Sequence, residues 1–162
     1  MANPRQGSRR QARIYALQAL YHADHAQLRA TQALQALWQS LLDGEGIDGE
    51  RGPESDEIEF AQRLVRGVEE HGVAIDALIE QCSTNWRLRR MPVVDRNILR
   101  VAAFELMRCD DIPATVSINE AVELAKLFGT DDSRAFVNGI VDRIGRQVGR
   151  LPEGARRRRD EG

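Results

Sequence analysis

Residues 98–107 read Ile98-Leu99-Arg100-Val101-Ala102-Ala103-Phe104-Glu105-Leu106-Met107. Only Arg100 and Glu105 interrupt this apolar run. A helix with one wet face needs an apolar stripe of about 100°. This segment is more hydrophobic than that, so it is expected to be a central helix covered on most sides. Pro92 suits the first turn of its helix, and Asp111 to Pro113 break the pattern at the far end.

The segments around it supply the covering faces. Ser8 is placed to cap a helix that runs to about His25, with Ile14, Leu17, Leu20 and Tyr21 at helical spacing. Leu34, Leu37, Trp38 and Leu41 predict a second helix over about 31–42. Residues 43–54 hold Gly44, Gly46, Gly49, Gly52 and Pro53 among several acids, and read as an acidic loop. Ser55 restarts a helix on Ile58, Ala61, Leu64, Val65 and Val68, which Gly72 ends or bends. Ile75, Leu78 and Ile79 follow in a helix over about 73–82, and residues 86–90 fit one short turn. Ser117-Ile118-Asn119-Glu120 matches a capping box before a stripe that runs to Phe128 and stops at Gly129. Asp131 or Asp132 then caps a last helix on Phe136, Val137, Ile140, Val141 and Ile144, where Gly139 would admit a close neighbour. The expectation is an all-α fold. It is one domain over 1–150, with about seven helices, no sheet and no internal repeat, followed by an Arg-rich tail over 151–162.

Composition narrows the function. The chain has 162 residues, 42% hydrophobic and 30% charged, with aromatics at only 5%, so a mostly aliphatic core is expected. The net charge of -2 excludes a generally basic polymer binder, so a nucleic-acid site has to be a local patch. No apolar run is long enough for a membrane span, and no N-terminal signal pattern is visible. Cys82 and Cys109 are isolated, with no CxxC spacing, and are expected as reduced, buried residues of a cytoplasmic protein.

No catalytic constellation is visible. The sequence lacks GxxxxGK[ST], GxGxxG and GxSxG motifs. His22 and His25 lie three apart on one helix, but with no Cys or third His nearby they read as solvated rather than metal-binding. The expectation is a non-enzymatic protein with no cofactor and no metal. The placement of arginines is more informative, because Lys126 is the single lysine. The first twenty residues carry Arg5, Arg9, Arg10 and Arg13 and no acid. Arg10 stands four residues before Ile14, in line with the apolar stripe, where an unpaired charge cannot be buried cheaply. The expected resolution is that this helix end projects beyond the core and offers guanidinium groups to phosphates, with Tyr21 as a stacking ring on the same helix. Arg87, Arg89, Arg90, Arg96 and Arg100 form a second cluster that fits ordinary surface pairing. Residues 156–159 form a third, partly cancelled by Asp160 and Glu161.

Three stretches resemble the NusB family of transcription antitermination factors. They are Ser8-Arg9-Arg10-Gln11-Ala12-Arg13 with Ala16 to Tyr21, the central run 98–106, and Ile118 to Gly129 with Asp132-Ser133 and Phe136 to Asp142. The resemblance spans about 8–146 and implies an N-terminal helical group packed on a C-terminal helical bundle. It further implies binding of boxA RNA together with NusE, a small-subunit ribosomal protein, in a complex with RNA polymerase and other Nus factors. Some members form homodimers. By position, the resemblance makes Arg9, Arg10, Arg13, Tyr21, Asp132 and Phe136 RNA-surface residues, and puts Asp95 and Glu105 on the helix that meets NusE. Gln11 interrupts the family's arginine run, and the insert 43–54 and the tail have no clear counterpart. Two alternatives stand beside the adaptor. One is a helical homodimer acting through protein contacts. The other is the NusB-like domain of an rRNA methyltransferase, which needs a further cofactor domain.

Overall fold

A computed structural model describes residues 4–43, 52–84 and 86–152, with side chains from residue 9 onward. The expected acidic loop falls largely outside these residues, as do the Arg5 side chain and the tail arginines 156–159. Among the described residues the fold is all-α. Its elements are α1 (Pro4–Ala26), α2 (Ala30–Leu42), α3 (Ser55–Glu70), α4 (Gly72–Cys82), a 3-10 turn (Leu88–Arg90), α5 (Val93–Arg108), α6 (Ala114–Phe128) and α7 (Ser133–Gln147).

α5 is the central helix that its composition predicts. Ile98, Leu99, Val101, Ala102, Ala103, Phe104 and Leu106 are all buried, and α5 packs against α1, α3, α4, α6 and α7. α1, α2 and α3 pack on one another as an N-terminal group, while α4, α6 and α7 gather round the other side of α5. One continuous aliphatic cluster, from Ala12 to Ile144, joins the two groups. Both cysteines are buried in it.

Three expected helix starts shift, each for a local reason. α1 begins at Pro4, so Ser8 lies inside it rather than at its cap. α6 begins at Ala114 behind Pro113, whose fixed φ already suits the position before a helix, so Ser117 is not a cap but a buried residue facing α5. Pro92 likewise stands just before α5 rather than in its first turn. Asp132 occupies the N-cap position of α7 without a side-chain capping bond. That turn is closed instead by the Thr130 N–H, which donates to Ser133 Oγ at 2.9 Å.

A close neighbour is met at Gly67 rather than at Gly139. A Cβ on Gly67 would fall 2.1 Å from the Phe104 ring, whereas one on Gly139 would meet nothing within 4 Å. Phe104 therefore packs directly against the backbone of α3 at Gly67, and His71 stacks beside it at 6.2 Å. Gly67→Ala should destabilise the fold by about 1–3 kcal/mol through overpacking, despite the better helix propensity of alanine. A thermal melt equal to or above that of the native protein would contradict this contact.

Candidate nucleic-acid interface

The arginines of α1 do not project from the core. Arg13 is 2% exposed. Its Nε and Nη2 donate to Glu105 Oε2 and Oε1 at 2.9 and 2.6 Å, and Ser117 Oγ donates to the same Oε1 at 2.9 Å. Arg10 grips Glu120 in the same two-pronged way, with Nε and Nη2 at 3.0 Å from its two oxygens. This contact raises the Arg10 pKa above its ordinary value. Glu120 is itself buried and stands 4.0 Å from Arg13 Nη1. Two guanidiniums and two carboxylates thus form a neutral cluster where α1 meets α5 and α6.

A second layer ties down the same end of α1. The guanidinium carbons of Arg9 and Arg13 lie 4.7 and 5.3 Å from the centroid of the Phe60 ring, a cation–π geometry. Arg9 also approaches Asp111 to 3.8 Å, and Arg63 holds Asp111 in a bidentate pair at 3.0 and 2.6 Å. The Arg63 contact lowers the Asp111 carboxyl to about 2. The expectation of a projecting tip is therefore corrected: α1 lies along the body, and its charges are met by acids contributed from α5, α6 and the turn between them. Arg13 has no surface to offer a phosphate. Arg9 and Arg10 remain partly exposed. Only two of Arg10's five N–H donors are committed to Glu120.

Asp95 and Glu105, expected at a partner contact, are 3% and 1% exposed and turned inward. Glu105 is the counter-ion of Arg13. Asp95 faces the buried Ser133 at the start of α7, and its Oδ1 has no hydrogen-bond partner among the described residues. As the protein stands, neither reaches a partner's surface.

The other expected residues do lie at the surface. Tyr21 is 42% exposed, with its ring edge-on to His25 at 4.4 Å. Asp132 is exposed, and Phe136 is half-buried. Phe136 meets Trp86 edge-on at 6.1 Å. Trp86 is 51% exposed and was not singled out from the sequence as a site residue. The signal was there: a tryptophan outside every apolar stripe, followed by Arg87, Arg89 and Arg90. The second arginine cluster divides in two. Arg96 and Arg100 pair with Asp24 and Asp76 across α1, α4 and α5. Arg87, Arg89, Arg90 and Arg134 are exposed and make no ion pair among the described residues. An exposed tryptophan beside unpaired arginines is chemically suited to stack on bases and neutralise phosphates. Among the described residues no group of His, Cys, Asp or Glu is arranged to hold a metal.

Two outcomes follow from this geometry. Arg13→Ala strands Glu105 without its counter-ion and should cost about 3–5 kcal/mol, whereas Arg9→Ala should cost less than about 1 kcal/mol. Chemical denaturation of both variants would read the difference, and equal midpoints would refute the division of roles. For Asp95, burial pushes the carboxyl above its ordinary 3.8, and the Ser133 hydroxyl offsets this only in part. A raised pKa contributes stability that is full below 3.8 and lost as pH rises through the shifted value. Asp95→Asn should therefore melt higher than the native protein at neutral pH, and the gap should close toward about pH 3.

The comparisons agree with this architecture. Residues 10–146 match the NusB family model. The chain is 49% identical over 138 residues to transcription antitermination protein NusB of Myxococcus xanthus (strain DK1622), covering 85% of this chain and 94% of that protein. It is 47% identical over 136 residues to the protein of that name from Anaeromyxobacter dehalogenans (strain 2CP-1 / ATCC BAA-258), covering 84% and 89%. The solved structure of T. maritima NusB superposes with a TM-score of 0.73 at 37% identity, covering 91% of this chain and 94% of that one. A structure of antitermination factors NusB and NusE in complex with dsRNA shares the fold, with a TM-score of 0.71 at 24% identity over 86% and 97% of the two chains. The chain belongs to the NusB family.

Proposed function

We propose that this chain is a transcription antitermination factor, a non-catalytic cytoplasmic adaptor that binds boxA RNA together with NusE in a complex with RNA polymerase and other Nus factors. The observation that carries this reading is the exposed Trp86 against Phe136, near exposed Arg87, Arg89, Arg90 and Arg134 that make no ion pair among the described residues, on a chain whose net charge is -2. Free arginine beside exposed ring faces is the chemistry of single-strand recognition: charge holds the backbone and rings hold the bases. Family membership and the antitermination names of its relatives support the same conclusion. The match covers 94% of the Myxococcus protein, so that relative has no room for a separate cofactor domain, which speaks against the methyltransferase alternative. Among the described residues, no helix is long and apolar enough to cross a membrane.

In this proposal the domain spans 1–150, and the RNA surface uses Arg9, Arg10, Tyr21, Phe136 and Trp86. Arg13 supports that surface from beneath. Asp132 is exposed at the start of α7, and its negative charge opposes a phosphate strand. A titration of boxA and scrambled RNA against salt, with and without NusE, tests the whole. Arg9→Ala and Arg10→Ala should each flatten the log–log salt slope by roughly 0.7 for single-stranded RNA. Asp132→Asn should bind RNA as well as the native protein or better. No preference for boxA under any salt, even with NusE present, would overturn the proposal.

A further inference from the structure

We propose that the groove between the α4–α5 connection and α7 is a slot for one unstacked nucleobase of single-stranded RNA. It rests on the function proposed above and names a site within it. Trp86, Phe136, Gly139, Ser83, Thr84 and Arg143 line a hollow of about 230 Å³, well above the ~30 Å³ share of a single water.

Each wall has a physical reason to be where it is. Ser83 Oγ donates to the Trp86 carbonyl at 3.1 Å, which fixes the bend that carries the tryptophan. Phe136 meets the Trp86 ring at an interplanar angle of 76°, so the two rings do not stack face to face, and half of Trp86 stays exposed. Gly139 sits in the middle of α7, where glycine weakens a helix. No neighbour within 4 Å requires the missing Cβ. What the glycine provides is the open floor of the groove. Arg143 Nη1 donates to the Cys82 carbonyl at 3.0 Å, which anchors the guanidinium at the slot wall with other N–H donors still uncommitted.

The occupant follows from this chemistry. A flat exposed ring face calls for a flat π-system, because base–aromatic stacking is sequence-tolerant and needs only one open face. The cations call for an anionic strand: Arg143 lines the slot itself, and Arg87, exposed and without an ion pair among the described residues, lines the adjoining hollow. A nucleotide strand satisfies both demands.

The test is a fluorescence-anisotropy titration of labelled single-stranded boxA RNA with saturating NusE, using native RNA and a set with one abasic position each. Trp86→Ala should weaken binding on the order of ten-fold, and Trp86→Phe should retain most of the affinity. Gly139→Leu fills the slot and should weaken binding similarly while melting no lower than the native protein, since leucine is the better helix former. One abasic position should cost the native protein a comparable factor and cost Trp86→Ala and Gly139→Leu nothing further, because the contact is already gone. Affinity and abasic profile unchanged in both variants, with the native protein still binding boxA, would overturn the slot but leave the function standing. Loss of NusE association with RNA affinity intact would assign the groove to a protein contact and also overturn it. Absence of RNA binding by the native protein would overturn both proposals.

Discussion

The fold turns on one ion pair. Arg13 and Glu105 meet in the interior with two hydrogen bonds and a third from Ser117. Desolvating two such charges is expensive, and their attraction repays it only when the geometry is good and the remaining polar atoms are satisfied. Here the conditions are met: the guanidinium edge matches the carboxylate fork, and a hydroxyl takes part of what is left over. Such a pair need not add net stability over a well-packed apolar substitute. It does fix position. Hydrophobic contact between α1 and α5 would tolerate a slide by a turn, whereas a two-pronged charged contact in the interior does not.

That fixed position divides the labour among the arginines of α1. Arg13 is wholly structural. Arg10 is tied by one edge to the buried Glu120 and shows its other donors outward. Arg9 rests on Phe60 with its head partly in solvent. Within little more than one turn, the arginines of one helix therefore grade from interior staple to surface charge. The aromatic–arginine surface at Trp86 and Phe136 is organised differently: Arg87 makes no ion pair among the described residues, and the two rings meet each other.

Much of the fold was readable in the chain. α5 was legible because its residues are apolar on nearly every side, and a helix of that kind has only one place to go. The breaks beside Gly72, at Gly129 and over 111–113 followed from residues that weaken or end a helix. The candidate site was less legible, and α1 shows why. A charge in line with an apolar stripe has two physical resolutions, projection or pairing. The choice depends on a partner 92 or 110 positions away, which local periodicity does not contain. The clue that would have decided it was a second lone charge of opposite sign: Glu105 interrupts the apolar run of α5 much as Arg13 sits beside the stripe of α1. Ser117 misled for a related reason. It has the chemistry of a cap and the spacing of a capping box, but Pro113 had already started the helix, and the hydroxyl was needed inside.

The staple also imposes an order on synthesis. Arg13 leaves the ribosome 92 residues before Glu105, and Arg10 leaves 110 residues before Glu120. Until α5 and α6 emerge, the amino-terminal helix has no acids to receive its guanidiniums and cannot dock in its final place. Contacts of such long sequence separation form slowly, because loop-closure entropy is lost before they reward it. The growing chain therefore carries an uncommitted basic helix until α5 and α6 have been made, and neutralises it only then.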